Sequence, residues 1–147
     1  MIAVDTNILV YAHRPECPFH EAAQRVLGDL AAGPEPWAIP LHCLVEFLGV
    51  VTNVRLWRQA STLPEGFAQV AAWRESPHLR LLTEDPTWWT TFEEMSTQAK
   101  ASGGALHDAR IASCCRYNGV AELWTADRDF SRYPALRARN PLVRASS

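Results

Sequence analysis

The chain has 147 residues, of which 48% are hydrophobic and 20% are charged, and its formal net charge is −2 at pH 7. This length and balance predict a single globular domain over residues 1–147 and exclude a disordered chain. No apolar run approaches the roughly 20 residues that cross a bilayer. Because Asp5 comes too early for a signal peptide, we expect a cytoplasmic protein without membrane association.

The usual sequence signatures of several enzyme classes are absent from the sequence. The chain contains no H-E-x-x-H, no G-x-S-x-G and no Walker-type phosphate loop, which argues against zincin proteases, α/β-hydrolases and P-loop NTPases. None of the four cysteines belongs to a C-x-x-C pair, which argues against a zinc ribbon.

Strand-like and helical patterns alternate along the chain. In chain order we predict strand 2–4, helix 6–13 with Thr6 as its N-cap, helix 18–33, strand 37–40, helix 41–53, helix 63–76, strand 79–82, helix 86–102, helix 105–119, strand 122–125 and a last strand within 136–143. This alternation predicts an α/β domain with a parallel sheet and helices on both of its faces.

Acidic residues follow two of the predicted strands. Asp5 follows strand 2–4, and Asp127 follows strand 122–125. Ligands of parallel α/β sheets bind beyond the carboxyl ends of the strands. We therefore expect both carboxylates at the functional edge of the sheet.

Glu46 is the only formally charged residue between positions 41 and 53. Helical spacing places it on a mostly apolar face, where an uncompensated carboxylate costs several kcal/mol or takes up a proton. A salt bridge to an arginine and a bound cation are both open as its compensation.

Asp108 and the pair Asp127 and Asp129 have ordinary structural explanations when each is taken alone. Asp108 lies near the start of its helix, where a negative charge is worth under about 1 kcal/mol. An aspartate after a strand is commonly a turn former or a helix cap. We assign Asp127 to the site because it lies closer to the strand end, and Asp129 is a candidate cap of the next turn.

Asp5, Glu46, Asp108 and Asp127 come from different elements that a parallel α/β fold can bring to one edge. Carboxylates packed together would repel by about 4 kcal/mol per close pair at an effective dielectric constant of 20. A divalent cation would stabilise such a cluster, and a ligand set of carboxylates alone fits Mg²⁺ or Mn²⁺ better than zinc.

The balance of acidic and basic residues is compatible with a nucleic-acid substrate. If four of the sixteen acids serve an ion, twelve remain against fourteen basic residues, thirteen of which are arginines. Arg14, Arg128 and Arg132 flank the acidic segments and are candidate phosphate contacts. Arg55 and Arg58 surround Trp57, which either stacks on bases or packs into the core or a dimer interface.

Four segments in order resemble the PIN-domain nucleases and, more narrowly, the VapC toxins of bacterial toxin–antitoxin pairs. They are "AVDTNILVYA" with Asp5, the helix acid Glu46, "HDARIA" with Asp108, and "LWTADRDF" with Thr125 and Asp127. The resemblance runs nearly end to end, including "RNPL" at 139–142.

This resemblance implies a three-layer α/β/α PIN-like domain with a mainly parallel central sheet and the activity of a Mg²⁺- or Mn²⁺-dependent endoribonuclease. It implies that Asp5 and Asp108 are metal ligands, that Glu46 and Asp127 complete the cluster, and that the hydroxyls of Thr6 and Thr125 support the acids. Many relatives carry asparagine in place of Asp127, so the resemblance implies direct ligation less strongly for Asp127 than for the other three acids. The resemblance further implies a structured RNA substrate such as tRNA or ribosomal RNA, a cognate antitoxin and a homodimer.

Two other functions compete with this one. A PIN-like module that binds RNA or protein without cutting should have lost at least one of the four acids, and all four are present. The second alternative function is that of a different metal-dependent enzyme. Phosphatases of the D-x-D-x-T type do not match the D-T-N at residues 5–7, whereas cleavage of DNA is compatible with the sequence.

Overall fold

Five parallel strands form the central sheet of the computed structural model, which describes residues 1–143. The strands are β1 (Ile2–Val4), β2 (Trp37–Pro40), β3 (Leu79–Leu82), β4 (Glu122–Trp124) and β5 (Arg137–Arg139). They lie in the order β3-β2-β1-β4-β5, and every pairing is parallel. The predicted α/β class with a parallel sheet is confirmed.

The central strands form because their short runs are apolar on both faces, as strands covered by helices on both sides are. Ala3 and Val4 of β1 and all four residues of β2 are buried. The edge strand β5 is exposed throughout and carries Arg137 and Arg139, charges that discourage pairing with another chain.

The sheet is flanked by helices. They are α1 (Thr6–His13), α2 (His20–Ala32), α3 (Leu41–Val51), α4 (Leu63–Arg74), α5 (Trp88–Gln98) and α6 (Ala105–Tyr117), and a short 3₁₀ helix spans Arg128–Arg132. Helix α1 packs against α2 and α3, and α5 packs against α6. Within residues 1–143, no helix is long and apolar enough to cross a bilayer.

All eleven predicted elements are present, and the differences lie at their ends. The predicted helix 86–102 is shorter because the Asp85 side chain accepts hydrogen bonds from the backbone of Thr87 and Trp88, which forms a turn before α5. After α5, Lys100 has a φ of 53°, a left-handed conformation that does not continue a helix.

Thr6 is not the N-cap of α1, as the sequence predicted. The N-cap is Asp5, whose carboxylate accepts a hydrogen bond from the Thr6 backbone at 2.8 Å, and Thr6 is the first helical residue. Thr and Asp are both good caps, so the spacing alone could not choose between them. As the cap of α1, Asp5 has a structural role in addition to any chemical one.

The strand order reverses between β1 and β4. The chain runs outward from β1 through β2 to β3 on one side, whereas β4 and β5 lie on the other side. Such a reversal opens a crevice at the carboxyl ends of the two central strands. Asp5 and Thr125 directly follow these strands, and the Asp5 backbone donates to the Trp124 carbonyl at 2.9 Å.

Candidate metal centre

A cavity of about 270 Å³ opens at the carboxyl ends of β1 and β4. We call it the acid pocket. Its lining brings together the four predicted acids with six other residues: Asp5, Thr6, Asn7, Val10, Tyr11, Glu46, Val50, Asp108, Ile111 and Asp127. Within the described residues 1–143, this lining contains four carboxylates and no lysine, arginine or histidine.

Asp5 is the most buried of the four acids, with 4% of its surface exposed. One carboxylate oxygen accepts from the Thr6 backbone at 2.8 Å, and the other accepts from the Thr125 hydroxyl at 2.7 Å and from the Asn7 amide at 3.3 Å. These donors fix the carboxylate at the base of the pocket.

Burial is the main cause that raises the pKa of Asp5 to about 6. The hydrogen bonds from Thr125 and Thr6 offset part of this rise, and the negative charges of Glu46 and Asp108 add to it. The hydrogen bonds therefore offset only part of the cost of burying this charge. In the absence of a cation, ionised Asp5 destabilises the fold.

Glu46 lies midway along α3 and is more exposed than the sequence predicted, with 36% of its side chain accessible. Its carboxylate accepts from the Thr6 hydroxyl at 3.2 Å. The predicted alternative of an arginine partner is wrong for residues 1–143, because the basic side chain within 4.0 Å of the Glu46 carboxylate is the His42 imidazole, at 3.5 Å. Burial lowers the pKa of His42, so this histidine gives Glu46 little positive charge.

Asp108 and Asp127 meet a third acid, Asp129, at the mouth of the pocket. Each offers an oxygen within 4.8 Å of the others. Burial raises the pKa of Asp108, and the charges of Asp127, Asp129 and Glu46 raise it further. The prediction that Asp129 caps the next turn is wrong: Asp127 is the N-cap of the 3₁₀ helix and accepts from the Asp129 backbone at 2.9 Å.

Asn7 is a member of the site for which no role was predicted from the sequence. Its amide nitrogen lies 3.3 Å from both the Asp5 carboxylate and the Thr125 hydroxyl, and its amide oxygen accepts from the Ala126 backbone at 3.1 Å. It thus ties α1 to the segment after β4. The signal was the polar triplet D-T-N at the end of an apolar strand, but only the fold shows which neighbour the amide reaches.

The donor set fits a divalent cation with a preference for oxygen ligands. Four carboxylates from four separate segments line one pocket without a basic side chain among the described lining residues, and the pKa values of Asp5 and Asp108 are raised. The arginines that pair with acids in residues 1–143 do so elsewhere, with Glu16, Glu84 and Glu122. Oxygen-only ligation is characteristic of Mg²⁺ and Mn²⁺ sites.

Comparison with known proteins assigns the family. The PIN domain model matches residues 2–136. The chain belongs to the PIN-domain family. It is 33% identical over 142 residues to the VapC ribonuclease Mb2897 of Mycobacterium bovis, and the aligned region covers 97% of this chain and 96% of that protein. It is 30% identical over 141 residues to ribonuclease VapC31 of Mycobacterium tuberculosis, and the aligned region covers 96% of this chain and 99% of that protein.

Solved structures of other proteins share the fold. VapBC2 of Rickettsia felis, solved with a DNA fragment from its promoter, superposes with a TM-score of 0.69 at 22% identity and covers 95% of this chain and 98% of that one. VapC20 of M. tuberculosis, described as a Sarcin-Ricin loop cleaving toxin, has a TM-score of 0.62 at 22% identity and covers 89% and 93%. The resemblance to PIN nucleases and to VapC toxins found in the sequence is confirmed.

Thr125 is the buried hydroxyl that joins the elements of this PIN-domain site. It donates to Asp5 and accepts from the Asp127 backbone at 3.0 Å. We expect Thr125→Val to lower the free energy of unfolding by about 1–3 kcal/mol, because a buried carboxylate and a backbone amide lose their partner. Chemical denaturation measures this loss. Thr52→Val is the matched control, since the Thr52 hydroxyl donates to the Leu48 carbonyl at the end of α3 and does not line the acid pocket.

Arg14 does not project toward the acid pocket, which contradicts its prediction as a phosphate contact. It is 8% exposed and donates to the Glu16 carboxylate at 2.7 Å, the Ser61 hydroxyl at 2.8 Å and the Gln59 carbonyl at 2.7 Å. Its guanidinium lies 4.5 Å from the centre of the Trp57 ring. Arg14 therefore covers the Trp57 ring, and the Trp57 indole N–H donates a hydrogen bond to the Val50 carbonyl. Of the two predicted roles of Trp57, the structure favours packing against the core over stacking on bases.

We expect Arg14→Met to lower the free energy of unfolding by about 1–3 kcal/mol, because the buried Ser61 hydroxyl and the Gln59 carbonyl lose their donor. The affinity of this PIN domain for nucleic acid should stay within about twofold, since an 8% exposed side chain cannot reach a phosphate. Thermal unfolding and a filter-binding titration measure the two effects. A large loss of affinity without a loss of stability would restore the phosphate-contact hypothesis.

Proposed function

We propose that this PIN domain is a Mg²⁺-dependent endoribonuclease that acts in the cytoplasm as the toxin of a type II toxin–antitoxin pair. Mn²⁺ is expected to substitute for Mg²⁺. The observation that carries the proposal is the acid pocket, in which Asp5, Glu46, Asp108 and Asp127 line one cavity without a basic side chain in the described lining. Similarity to VapC ribonucleases over 97% of the chain supports the substrate class.

The proposed metal ligands are Asp5 and Asp108, with Glu46 and Asp127 completing the set. A bound divalent cation would orient the phosphate, acidify water and neutralise charge that develops on phosphorus. The protein holds the ligands in place before the reaction: Thr125 and Asn7 fix Asp5, and Thr6 fixes Glu46. This preorganisation is the main catalytic contribution of the chain itself.

Water is the proposed nucleophile, because the described lining of the acid pocket contains no cysteine, serine or histidine. Glu46 or Asp127, both partly exposed, would align the water and accept one of its protons. In-line attack forms a new P–O bond and breaks the bond from phosphorus to the 3′ oxygen. The 3′ oxygen leaves with the bonding electron pair and takes up a proton from solvent. The products are a 5′-phosphate and a 3′-hydroxyl.

The proposed substrate is a structured RNA such as tRNA or ribosomal RNA, whose cleavage would stop translation. VapC20, a structural neighbour, is described as cleaving the Sarcin-Ricin loop. A cognate antitoxin is the proposed partner, since the solved neighbours include VapBC2 and the FitAcB assembly of Neisseria gonorrhoeae. A homodimer of single-domain chains is the proposed state of the toxin.

The direct test incubates the purified protein with structured RNA, single-stranded DNA and a small phosphate ester, each with Mg²⁺, with Mn²⁺ and with EDTA. We expect cleavage of RNA alone, with either metal and not with EDTA, leaving 5′-phosphate ends. Cleavage of DNA would favour the alternative DNA nuclease. No cleavage of any substrate would favour the alternative of a catalytically inactive binding module.

Expression in cells tests the toxin assignment separately. We expect growth arrest on expression of this chain alone, and relief when a small reading frame from immediately upstream is co-expressed. Continued growth despite RNase activity in the purified protein would separate the enzymatic proposal from the toxin proposal.

A further inference from the structure

A second cavity, of about 570 Å³, adjoins the acid pocket between the segment after β4 and the edge strand β5. We call it the lateral cavity. It shares Asp127 with the acid pocket, and it is also lined by Thr125, whose hydroxyl holds Asp5. Its volume lies within the range of about 300–1,000 Å³ that is typical of small-ligand sites. Nothing in the proposed hydrolysis at the acid pocket uses this space.

The lining of the lateral cavity combines an apolar floor with a polar rim. Phe130, Tyr133 and Leu136 belong to the hydrophobic core and line the floor, whereas Arg128 and Asn140 line the rim. Flat apolar surface together with a few hydrogen-bonding groups suits a planar heterocycle that carries a sugar and a phosphate.

Tyr133 lines this cavity. Its ring is packed against Phe130 at a centroid distance of 6.3 Å, and only 4% of the residue is exposed. Within residues 1–143 the Tyr133 hydroxyl has no hydrogen-bond partner, whereas the Tyr117 hydroxyl donates to Asp85.

The Tyr133 hydroxyl also lies within electrostatic reach of the acid pocket. Burial raises the pKa of Tyr133, and the negative charge of Asp108 raises it further. The hydroxyl is thus a neutral donor at neutral pH. Because the lateral cavity shares Asp127 with the acid pocket, a group bound in it would lie next to a phosphate held at the acids.

Arg128 is the basic group at the rim that is free to bind an anion. It is exposed, and no carboxylate lies within 4.0 Å of it in the described part of the chain, whereas Arg139 on the same cavity contacts Glu122 at 3.7 Å. An exposed guanidinium beside an acidic site can bind a phosphate that flanks the reacting one.

We propose that the lateral cavity binds a nucleoside adjacent to the scissile phosphate, with Tyr133 donating a hydrogen bond to its base or ribose and Arg128 contacting the flanking phosphate. The proposal rests on the proposed ribonuclease function and extends it to substrate selection. Tyr133 is a specificity-determining residue in this scheme and takes no part in bond breaking. Because base edges differ in their acceptors, occupancy of the cavity would select which nucleotide lies beside the cut.

Two variants test the proposal in the full chain. Tyr133→Phe removes the hydroxyl and keeps the buried ring. Ala138→Trp fills the cavity from an exposed position on β5, where added bulk does not enter the core. The matched controls are Tyr117→Phe, whose hydroxyl bonds Asp85 at 2.7 Å, and Ala68→Trp, at an exposed position of α4 that lines neither cavity.

The measurement is cleavage of a random-sequence RNA pool in Mg²⁺ with sequencing of the cut ends, followed by KM and kcat on the best-cut oligonucleotide. We expect Ala138→Trp to change the preferred nucleotide beside the cut and to raise KM at least tenfold. Tyr133→Phe should raise KM by about 2- to 10-fold, as for one hydrogen bond, with kcat within twofold. Both controls should match the wild type in preference and in KM.

Three results would overturn the proposal and are distinguishable from one another. Unchanged cut sites and KM in both variants, with an active wild type, would refute the lateral cavity and leave the ribonuclease function standing. Unchanged RNA kinetics with weakened inhibition by the antitoxin would assign the cavity to a protein ligand. An inactive wild type would remove the ribonuclease function and this proposal together.

Discussion

Asp5→Asn is expected to reduce RNA cleavage by at least about 100-fold while the fold survives. The loss follows because the side chain at the base of the acid pocket loses its charge, and a cation contributes several kcal/mol of transition-state stabilisation. The fold should survive because asparagine keeps an oxygen that can cap α1 through the Thr6 backbone. It also removes a charge whose burial is unfavourable.

Initial rates under saturating Mg²⁺, together with thermal unfolding, measure the two effects. Asp29→Asn is the matched control, because Asp29 is an exposed acid of α2 outside the acid pocket. Asp29→Asn should leave the rate unchanged. Full activity in folded Asp5→Asn protein would remove Asp5 from the catalytic site.

The second large expected effect is the dependence of the stability of the fold on pH and on a bound metal ion. Burial raises the pKa of Asp5 from 3.8 to about 6, so between these pH values the folded state binds more protons than the unfolded state. Stability contributed by protonated Asp5 is therefore fully present below about pH 4 and is lost as pH rises through 6. A shift of about two units corresponds to roughly 3 kcal/mol.

We therefore expect the metal-free wild type, in EDTA, to lose stability between pH 5 and pH 7, and Asp5→Asn to lose much less. Mg²⁺ should raise the melting temperature of the wild type more at pH 7.5 than at pH 5, because cation and proton compete for the same carboxylates. Differential scanning calorimetry of both proteins at the two pH values gives the comparison. Equal stabilisation of wild type and Asp5→Asn by Mg²⁺ would place the cation elsewhere.

The sequence predicted the fold well because its signals are local and strong. The buried runs 2–4 and 37–40 and the helical spacing within 41–53 each identify an element without knowledge of its neighbours. Alternation of these elements is then enough to predict a parallel sheet, since parallel strands require crossovers. The ends of the helices and strands were predicted less accurately. A turn such as the one formed by the Asp85 side chain shifts the start of a helix by only one or two residues, and helical propensity does not register so small a shift.

The candidate site was predictable in its acids and not in its supporting contacts. Asp5 and Asp127 follow strands, and the topology of a parallel sheet brings strand ends to one edge. The contacts of Asn7 and the position of Asp129 depend on the path of the segment after β4, which no periodicity encodes. Arg14 was misassigned for the same reason: its charge is visible in the sequence, but its burial against Trp57 and Ser61 is a tertiary property.

Anomalous diffraction from crystals soaked in Mn²⁺ tests most directly whether the acids gather around one divalent cation. We expect an anomalous peak inside the acid pocket with oxygens of both Asp5 and Asp108 as ligands, and its loss in Asp5→Asn crystals soaked in the same way. Density confined to Asp127 and Asp129 at the exposed mouth, or an acid pocket without any peak, would contradict the proposed metal centre.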